Sequence, residues 1–368
     1  MTASANLTLS NLRIVELAGI GPGPHAAMML ADHGAQIIRV ERSHPAAAPP
    51  PAWDVSIRGR RVVEADLKDP DDLDRVRSLI TAADVLIEGF RPGVTERLGL
   101  GPDEMLAANP GLVYGRMTGW GQEGPEASAA GHDLNYISRT GLLNLIGDDP
   151  TRGPVPPLNL VGDFGGGSMF LVTGILLALL ERERTGRGQV VDAAIVDGTA
   201  ALGASIWGKI NTGGFRDGRG VNFLDGSAPY YRCYVCRDGL YLSLAAIERR
   251  FFDIVTGTLC LEPWPEEVRL DPARWPQITA VLAGVFAGRD RDDWLAAFAG
   301  TDACIAPVRT IAEAPDDEHM RAREVYVDVD GTVHPRPAPR LSNHGLPTPP
   351  PMPAGVDDLD AVIRDWGV

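Results

Sequence analysis

Three side chains in this sequence could exchange a proton with a bound substrate. His132 lies beside Asp133 in AGHDLNYISRTG, Asp163 precedes three glycines in NLVGDFGGGSMF, and Glu248 lies in LAAIERRFFD. Imidazole titrates closer to neutral pH than any other side chain, so a histidine in a loop is a candidate general acid or base. Each residue also has a purely structural interpretation: a histidine in a turn, an aspartate that caps a helix, and a glutamate in the first turn of a surface helix.

The three glycines after Asp163 favour a functional interpretation of that segment. Glycine carries a conformational-entropy cost, and it is best used where a backbone must approach another group closely. We therefore expect a glycine-rich loop that approaches a ligand. The N–H groups of such a loop could also stabilise an oxyanion.

A basic cluster lies between residues 38 and 61, where five arginines stand against two acids. Guanidinium groups match phosphate oxygens, and ligands of doubly wound sheets bind at the carboxyl ends of strands. The cluster is thus a candidate site for a phosphorylated cofactor, with a solvated surface as the equal alternative. The residues are Arg39, Arg42, Arg58, Arg60 and Arg61, and Lys68, Arg91 and Arg97 follow.

Composition limits the class of protein. A net charge of −15 argues against a nucleic-acid partner, because binding to the phosphate backbone depends on clustered Lys and Arg. The N-terminus lacks the basic start and apolar stretch of a signal peptide, so we expect a cytoplasmic location. The longest apolar run, at 169–180, is shorter than the roughly 20 residues of a membrane-spanning helix. It predicts a buried helix and no membrane span.

The four cysteines do not predict a metal site. Cys233 and Cys236 form a C-x-x-C pair, but no second pair of Cys or His at a suitable spacing completes a zinc site. We interpret all four as free structural thiols.

The first forty residues predict a strand, a helix and a parallel second strand. LRIVELA and AQIIRVE have strand patterns, AAMMLADH is amphipathic, and Gly34 marks a helix end. The intervening GIGPGPH resembles a dinucleotide fingerprint, with Glu41 where a ribose-binding acid would lie. Pro24 occupies the position of the third glycine, however, and this disfavours NAD binding.

The pattern of elements predicts an α/β protein with two domains. We expect a Rossmann-like large domain made of residues 1–200 plus 320–368, a connector at 200–225, and a smaller α+β domain at 225–310. The smaller domain begins with a β-hairpin in YYRCYVCRDGLYLSLAA. Eight prolines between 335 and 353 predict an extended segment that lies over a surface.

Several segments together resemble the family III CoA transferases (CaiB/BaiF type). The resemblance covers most of the chain and weakens after about residue 255. LRIVELAGIGPGPHAAMMLADHGAQIIRVER and DVLIEGFRPGVTERLGLG are shared widely in that family. GHDLNYIS and NLVGDFGGG are specific, and they resemble the α-methylacyl-CoA racemases within it.

This resemblance implies that His132 and Asp163 are the two acid/base residues and that Glu248 supports the histidine. It implies no metal or redox cofactor, because coenzyme A enters as part of the acyl-CoA substrate. It further implies an interlocked homodimer, in which the smaller domain of one subunit delivers Glu248 to the site of the other. The implied CoA contacts are Arg39, Ala65, Asp66, Leu67, Lys68, Gly89, Phe90, Arg91, Arg97, Gly131, Asp133, Leu134, Asn135 and Tyr136.

The implied activity is the interconversion of (R)- and (S)-2-methylacyl-CoA thioesters by proton transfer through an enolate. The nearest alternative is CoA transfer between carboxylic acids, in which Asp163 attacks the thioester and His132 has no clear role. A non-catalytic CoA-binding protein is a further alternative. It would need the basic residues but not the His132 and Asp163 pair.

Overall fold

The structure is a computed structural model that describes residues 7–43, 54–329 and 331–368. It divides into two compact units. The first unit comprises Met1–Thr140, Leu158–Gly203 and Glu324–Val368, and the second comprises Gly141–Pro157 and Ala204–Arg323. Residues 204–225 of the expected connector belong to the second unit, as do residues 141–157.

The first unit is built on a parallel sheet of seven strands in the order β12-β3-β2-β1-β4-β5-β6. The chain runs from β1 to β3 on one side of β1, and it then returns to place β4, β5 and β6 on the other side. The boundary between β1 and β4 is therefore a topological switch point, where doubly wound sheets bind ligands. The strands are β1 Arg13–Leu17, β2 Gln36–Arg42, β3 Arg60–Ala65, β4 Val85–Glu88, β5 Val113–Thr118, β6 Val190–Ala194 and β12 Val356–Asp357.

Helices cover both faces of this sheet. Successive strand residues point to opposite faces, so the strands contribute to an apolar core on each face. Ile14 and Ile37 belong to the apolar core on one face, and Val15 and Ile38 to the core on the other. Helices α1 and α6 cover the first face, and α2 and α14 cover the second. The helices of this unit are α1 Pro22–Asp32, α2 Pro70–Thr81, α3 Val94–Arg97, α4 Pro102–Ala108, α5 Asp133–Arg139, α6 Met169–Thr185, α7 Ile195–Leu202 and α14 Leu359–Trp366.

Local sequence explains where α1 begins and ends. Pro22 occupies its first position, where the fixed φ of proline suits a helix. Gly34, just past its end, has a φ of 103°, which glycine adopts without strain. The predicted Rossmann-like domain with its strand-helix-strand start is confirmed.

Helix α6 is not buried all round, contrary to the expectation from its sequence. It continues a helical turn that begins at Leu160, and its inner face packs on the sheet through Leu171 and Ile175. Leu177 and Leu180 on the outer face are 62% and 70% exposed. A helix on a sheet buries one face, so apolar residues around its whole circumference cannot all be covered.

The helical stretch 160–185 has the length and apolar composition of a membrane span, the only such case in the described parts of the chain. Length and composition are weak evidence here, because a core helix of a soluble protein meets the same criteria.

The second unit is a smaller α+β domain, as predicted. An antiparallel sheet in the order β7-β8-β9 packs through Tyr234 and Leu242 against an aromatic core that includes Phe252 and Phe286. The predicted hairpin forms its first two strands. The elements are β7 Tyr231–Val235, β8 Tyr241–Ala245, β9 Ile305–Pro307, α8 Ala204–Asn211, α9 Arg249–Thr258, α10 Glu266–Arg269, α11 Trp275–Phe286, α12 Arg291–Phe298 and α13 Glu318–Ala322.

The last forty-odd residues return to the first unit. Strands β10 (Tyr326–Val329) and β11 (Thr332–Pro335) pair antiparallel. Residues 336–355 then contain no helix or strand, as their prolines predict. Strand β12 finally adds to the edge of the large sheet beside β3, and α14 packs on its face.

Candidate active site

A cavity of about 480 Å³ opens at the carboxyl ends of β1, β4 and β5, beside the switch point. We call it the first cavity. Its walls include the turn at residues 19–24, residues 89–92 and residues 117–120. His132, Tyr136 and Asp163 complete it. The structure thus brings together the two predicted acid/base residues, which are 31 positions apart in the chain.

His132 directly precedes α5, and the first turn of that helix holds its backbone. Its N–H donates to the side-chain oxygen of Asn135 at 3.1 Å. The hydroxyl of Tyr136 donates to the carbonyl of Gly131. The Tyr136 ring packs edge-on against Trp120, with ring centroids 4.8 Å apart. A Cβ at Gly119 would lie 2.1 Å from this ring, so the ring fits only because residue 119 is glycine. These contacts fix the turn that presents His132.

Asp163 lies inside a π-helix, Leu160–Ser168, and it neither caps a helix nor lies in a loop. The N–H of Phe164 donates to the carbonyl of Asn159, five residues earlier, at 3.2 Å. Such wide turns occur mostly as short insertions in α-helices, frequently at functional sites. Both sequence expectations for Asp163 as a local structure were therefore wrong.

The glycines after Asp163 allow two helices to pack with their backbones in contact. A Cβ at Gly198 in α7 would lie 1.9 Å from the carbonyl oxygen of Gly166, and a Cβ at Gly166 would lie 2.4 Å from Thr199 Oγ1. A Cβ at Gly167 would lie 3.0 Å from Pro22. The glycines thus serve helix packing, because a side chain would push apart α7, α1 and the π-helix. The expected approach of a ligand to them stays a prediction.

The surroundings of the Asp163 carboxyl group favour its protonated form. Burial raises the pKa of Asp163, and the negative charge of Asp133 acts in the same direction. The side-chain amide of Asn159, which donates to Oδ2 at 3.4 Å, and His132 oppose this rise. A carboxyl group with a raised pKa is better suited to give as well as take a proton near neutral pH.

His25 is a residue near Asp163 that sequence reasoning missed. Its ring stacks on Phe164, with centroids 4.4 Å apart, and burial lowers the pKa of His25. Its position after GIGPGP is visible in the sequence, but only the fold places it against the π-helix.

A second cavity, of about 540 Å³, adjoins the first, since Leu17 and Phe90 line both. We call it the second cavity. It lies at the carboxyl ends of β2 and β3 and is lined by Arg42, the stretch Ala65–Lys68 and Arg97. Among the residues that the structure describes, no carboxylate pairs with Arg42, Lys68, Arg91 or Arg97. Arg91 lines the first cavity, and Arg42, Lys68 and Arg97 line the second.

Arg39 lies outside the lining of both cavities. It is 6% exposed in the middle of β2. Its guanidinium donates to Glu16, to Glu41 and to the carbonyl of Gly19. Its guanidinium is thus held by two carboxylates and a carbonyl in this structure, and the implied contact of Arg39 with CoA stays a prediction.

Three other arginines of the basic cluster are paired as well. Arg60 contacts Glu16, Arg58 contacts Asp32, and Arg61 contacts Asp357 and Asp365. Arg42 alone of the five faces the second cavity, and it was not among the implied CoA contacts. The sequence signal that could have found it is its place at the end of β2, since only strand ends face the crevice.

The remaining predicted contacts fall into two groups. Gly89, Phe90, Arg91, Gly131 and Tyr136 line the first cavity. Asp133, Leu134 and Asn135 line neither cavity: Asp133 as a whole is 9% exposed with its carboxylate turned inward, and the other two side chains are exposed.

Glu248 belongs to the second unit, where it immediately precedes α9 and is exposed. The four cysteines, which also lie in this unit, are free. In the described part of the chain, no cluster of three or more His, Cys, Asp or Glu side chains could hold a metal ion.

Comparison with known proteins identifies the family of this chain. The model of CoA-transferase family III matches residues 9–357, so the chain belongs to that family, and the resemblance seen in its sequence is confirmed. It is 40% identical to an alpha-methylacyl-CoA racemase of Mus musculus over 363 residues, covering 98% of this chain and 94% of the mouse protein. The human alpha-methylacyl-CoA racemase is 40% identical over 342 residues, covering 92% and 87%. The prediction of an isomerase agrees with the names of these relatives.

A solved structure supports the fold. The crystal structure of a CAIB/BAIF family protein from Brucella suis superposes with a TM-score of 0.81 at 29% identity, covering 98% of this chain and 99% of that protein. The predicted family III fold is confirmed.

The glycine packing can be tested with Gly198→Ala. The added methyl group would overlap the Gly166 carbonyl, so the π-helix must move, and we expect the free energy of unfolding to fall by about 1–3 kcal/mol in urea denaturation. Gly257→Ala in α9 is the matched control, since no atom lies within 4 Å of its Cβ position. This control should be neutral or more stable by up to about 1 kcal/mol. A Gly198→Ala protein as stable as wild type would contradict the packing.

Proposed function

We propose that this enzyme is a racemase that interconverts (R)- and (S)-2-methylacyl-CoA thioesters, with His132 and Asp163 as the opposed acid/base residues. The observation that carries the proposal is that both residues line one cavity, which adjoins a second cavity lined by Arg42, Lys68 and Arg97. The similarity to two racemases over nearly the whole chain supports it.

The reaction needs one group on each face of the α-carbon. The thioester acidifies the α-hydrogen; one residue removes it, and the electron pair of the broken C–H bond passes to the carbonyl oxygen as an enolate. The other residue then donates its own proton to the opposite face, so that a new C–H bond forms with inverted configuration. A neutral imidazole with a protonated Asp163 serves one direction, and an imidazolium with a carboxylate serves the reverse. The raised pKa of Asp163 supports this double role.

The enolate oxygen requires a hydrogen-bond donor. The backbone N–H of Asp133, the first residue of α5, is our candidate. The first N–H groups of a helix have no partner within it, and this one donates to no described residue. We propose no metal or redox cofactor, since coenzyme A enters as part of the substrate.

Racemisation can be tested by proton NMR of an (S)-2-methylacyl-CoA in D2O without an acceptor acid. We expect loss of the α-proton signal and formation of both enantiomers. His132→Ala and Asp163→Ala should each reduce this activity about 10²- to 10⁴-fold, the usual contribution of a general acid or base.

CoA transfer remains the second candidate, because an Asp163 nucleophile would also lie in the first cavity. Its carboxylate would attack the thioester carbonyl, expel CoA as a thiolate and form an anhydride. If His132→Ala kept full activity, Asp163→Ala lost it, and CoA passed to an added carboxylate, transfer would replace racemisation. Tight CoA binding with an unaltered substrate would instead favour a non-catalytic binding protein.

We propose that the phosphates of coenzyme A bind along the second cavity, where Arg42, Lys68 and Arg97 supply charge to an otherwise acidic protein. Loss of a charged hydrogen bond costs about 1.5–3 kcal/mol. We expect Lys68→Gln and Arg97→Gln each to raise the Kd for CoA about 10- to 100-fold by isothermal titration calorimetry. Arg61→Gln is the control, since its guanidinium already contacts Asp357 and Asp365. An equal effect of all three would contradict a specific phosphate site.

We also propose a cytoplasmic, interlocked homodimer in which Glu248 of the partner subunit supports His132. The exposed outer face of α6 supports the dimer. Met169, Leu176, Leu177 and Leu180 recur there at helical spacing, and an exposed apolar patch of this kind marks an interaction surface.

Light scattering should give twice the 39.3 kDa mass of the chain. Leu177→Glu with Leu180→Glu should yield monomers, because two charges would be buried without partners. Val333→Glu, at a similarly exposed residue of β11, should leave the dimer intact. A monomeric wild type at working concentration would refute the dimer.

A further inference from the structure

The side chain of Asp133 joins the two halves of the first cavity. Its Oδ1 accepts the backbone N–H of Asp163 at 2.7 Å, a hydrogen bond between residues 30 positions apart. Asp133 as a whole is 9% exposed and lines neither cavity. It is therefore placed to hold protein backbone and not to contact a ligand.

The helix that follows explains why a carboxylate suits this place. Asp163 lies in the first turn of the helical stretch 160–185, where N–H groups lack partners within the helix and negative charge is favourable. A hydrogen bond to an ionised acceptor is also roughly twice as strong as one between neutral groups.

Gly162 gives independent evidence that the contact is built into the fold. A Cβ at this position would lie 2.3 Å from Asp133 Oδ1 and 2.8 Å from Ile137 Cγ2. Residue 162 is therefore glycine where the Asp133 carboxylate needs the space. Asp133 supplies the acceptor of this hydrogen bond, and Gly162 leaves the space for it.

The bond links the backbones of both acid/base residues. Asp133 is covalently next to His132, whose own N–H is held by Asn135 at 3.1 Å. The hydrogen bond from the Asp163 N–H to Asp133 Oδ1 thus connects the turn that contains His132 to the turn that contains Asp163. We propose that Asp133 is a positioning residue that sets the separation of His132 and Asp163 across the cavity. This inference rests on the proposed racemase function.

Inversion and proton exchange depend differently on that separation. Exchange of the α-proton on one face needs one group in reach of the substrate. Inversion needs both groups in reach of the same α-carbon. A misplacement of about 1 Å can cost 10²-fold in rate. Loss of the hydrogen bond between Asp133 and the Asp163 N–H should therefore lower the rate of inversion more than the rate of exchange.

The charge of Asp133 has a separate, measurable effect. The groups that face Asp163 are Asp133, His132, Asn159 and Tyr136, whose hydroxyl pKa is raised by burial and by the charge of Asp163. Asp133→Asn keeps an oxygen acceptor and removes the charge. Since burial and then Asp133 raise the pKa of Asp163, this variant should shift the Asp163-dependent limb of the pH profile to lower pH.

The experiment compares exchange and inversion in the full-length enzyme. Enantiopure (R)- and (S)-2-methyldecanoyl-CoA are incubated in D2O, with exchange followed by proton NMR and inversion by chiral chromatography of the released acid. Asp133→Ala should lower inversion about 10²-fold and raise the ratio of exchange to inversion at least several-fold. Asp133→Asn should stay within about tenfold of wild type and shift the pH limb.

Two further variants keep the test decisive. Gly162→Ala should raise the same ratio from the other side of the contact, because its methyl group displaces the carboxylate. Asp358→Ala is the matched control: Asp358 also accepts a helix N–H at 2.7 Å, at the start of α14, and its loss should lower Tm without changing the ratio.

The outcomes separate the inference from the function on which it rests. A wild-type enzyme with neither exchange nor inversion would refute the racemase and, with it, this role of Asp133. An active wild type with an unchanged ratio in both Asp133→Ala and Gly162→Ala would overturn the positioning role alone.

Discussion

The buried carboxylate of Glu16, at the end of β1, is the group on which the position of the site depends. It accepts from Arg39 on β2 and from Arg60 on β3, and all three side chains are nearly inaccessible. Leaving one such charge without its partner costs several kcal/mol, so the three strands are held in register by electrostatics as well as by their backbones. Arg39 also donates to the carbonyl of Gly19 and Arg60 to that of Pro24. Both ends of the turn that forms one wall of the first cavity are therefore fixed.

This arrangement divides the basic residues into two groups with different tasks. Arg39, Arg58 and Arg60 are buried and neutralised by carboxylates, and they hold the start of the chain together. Arg42, Lys68 and Arg97 remain without carboxylate partners among the described residues, and they border the second cavity. Glu41 and Asp66 also line this cavity, so three basic side chains stand against two acidic ones and the lining stays positive. A protein with a net charge of −15 can therefore still attract an anionic ligand at this edge of the sheet.

Side-chain hydrogen bonds and helix packing hold the backbones of His132 and Asp163, the proposed acid/base pair. His132 precedes a short helix, and Asp163 lies in a π-helix whose glycines let it pack directly against α7. The contact from Asp133 to the N–H of Asp163 joins the two. Both side chains thus line the first cavity from a backbone that is held in place. Burial next to Asp133 also sets the pKa of Asp163 above that of an exposed aspartate.

The amino-acid sequence alone was sufficient for the strand-helix-strand start, the parallel sheet, the second unit with its hairpin, and the family. These depend on periodicity, on turn residues and on short motifs, all of which are local. It also singled out His132 and Asp163, whose shared cavity the fold then supplied. Only the tertiary structure decided that Arg39 is neutralised while Arg42 faces the second cavity, that the glycines after Asp163 contact a helix, and that Asp133 holds Asp163. These arrangements depend on contacts between residues far apart in the chain, such as Glu16 with Arg39, Asp133 with Asp163 and Pro22 with Gly167. No local pattern records which carboxylate a guanidinium will meet, or which backbone will lie against a glycine.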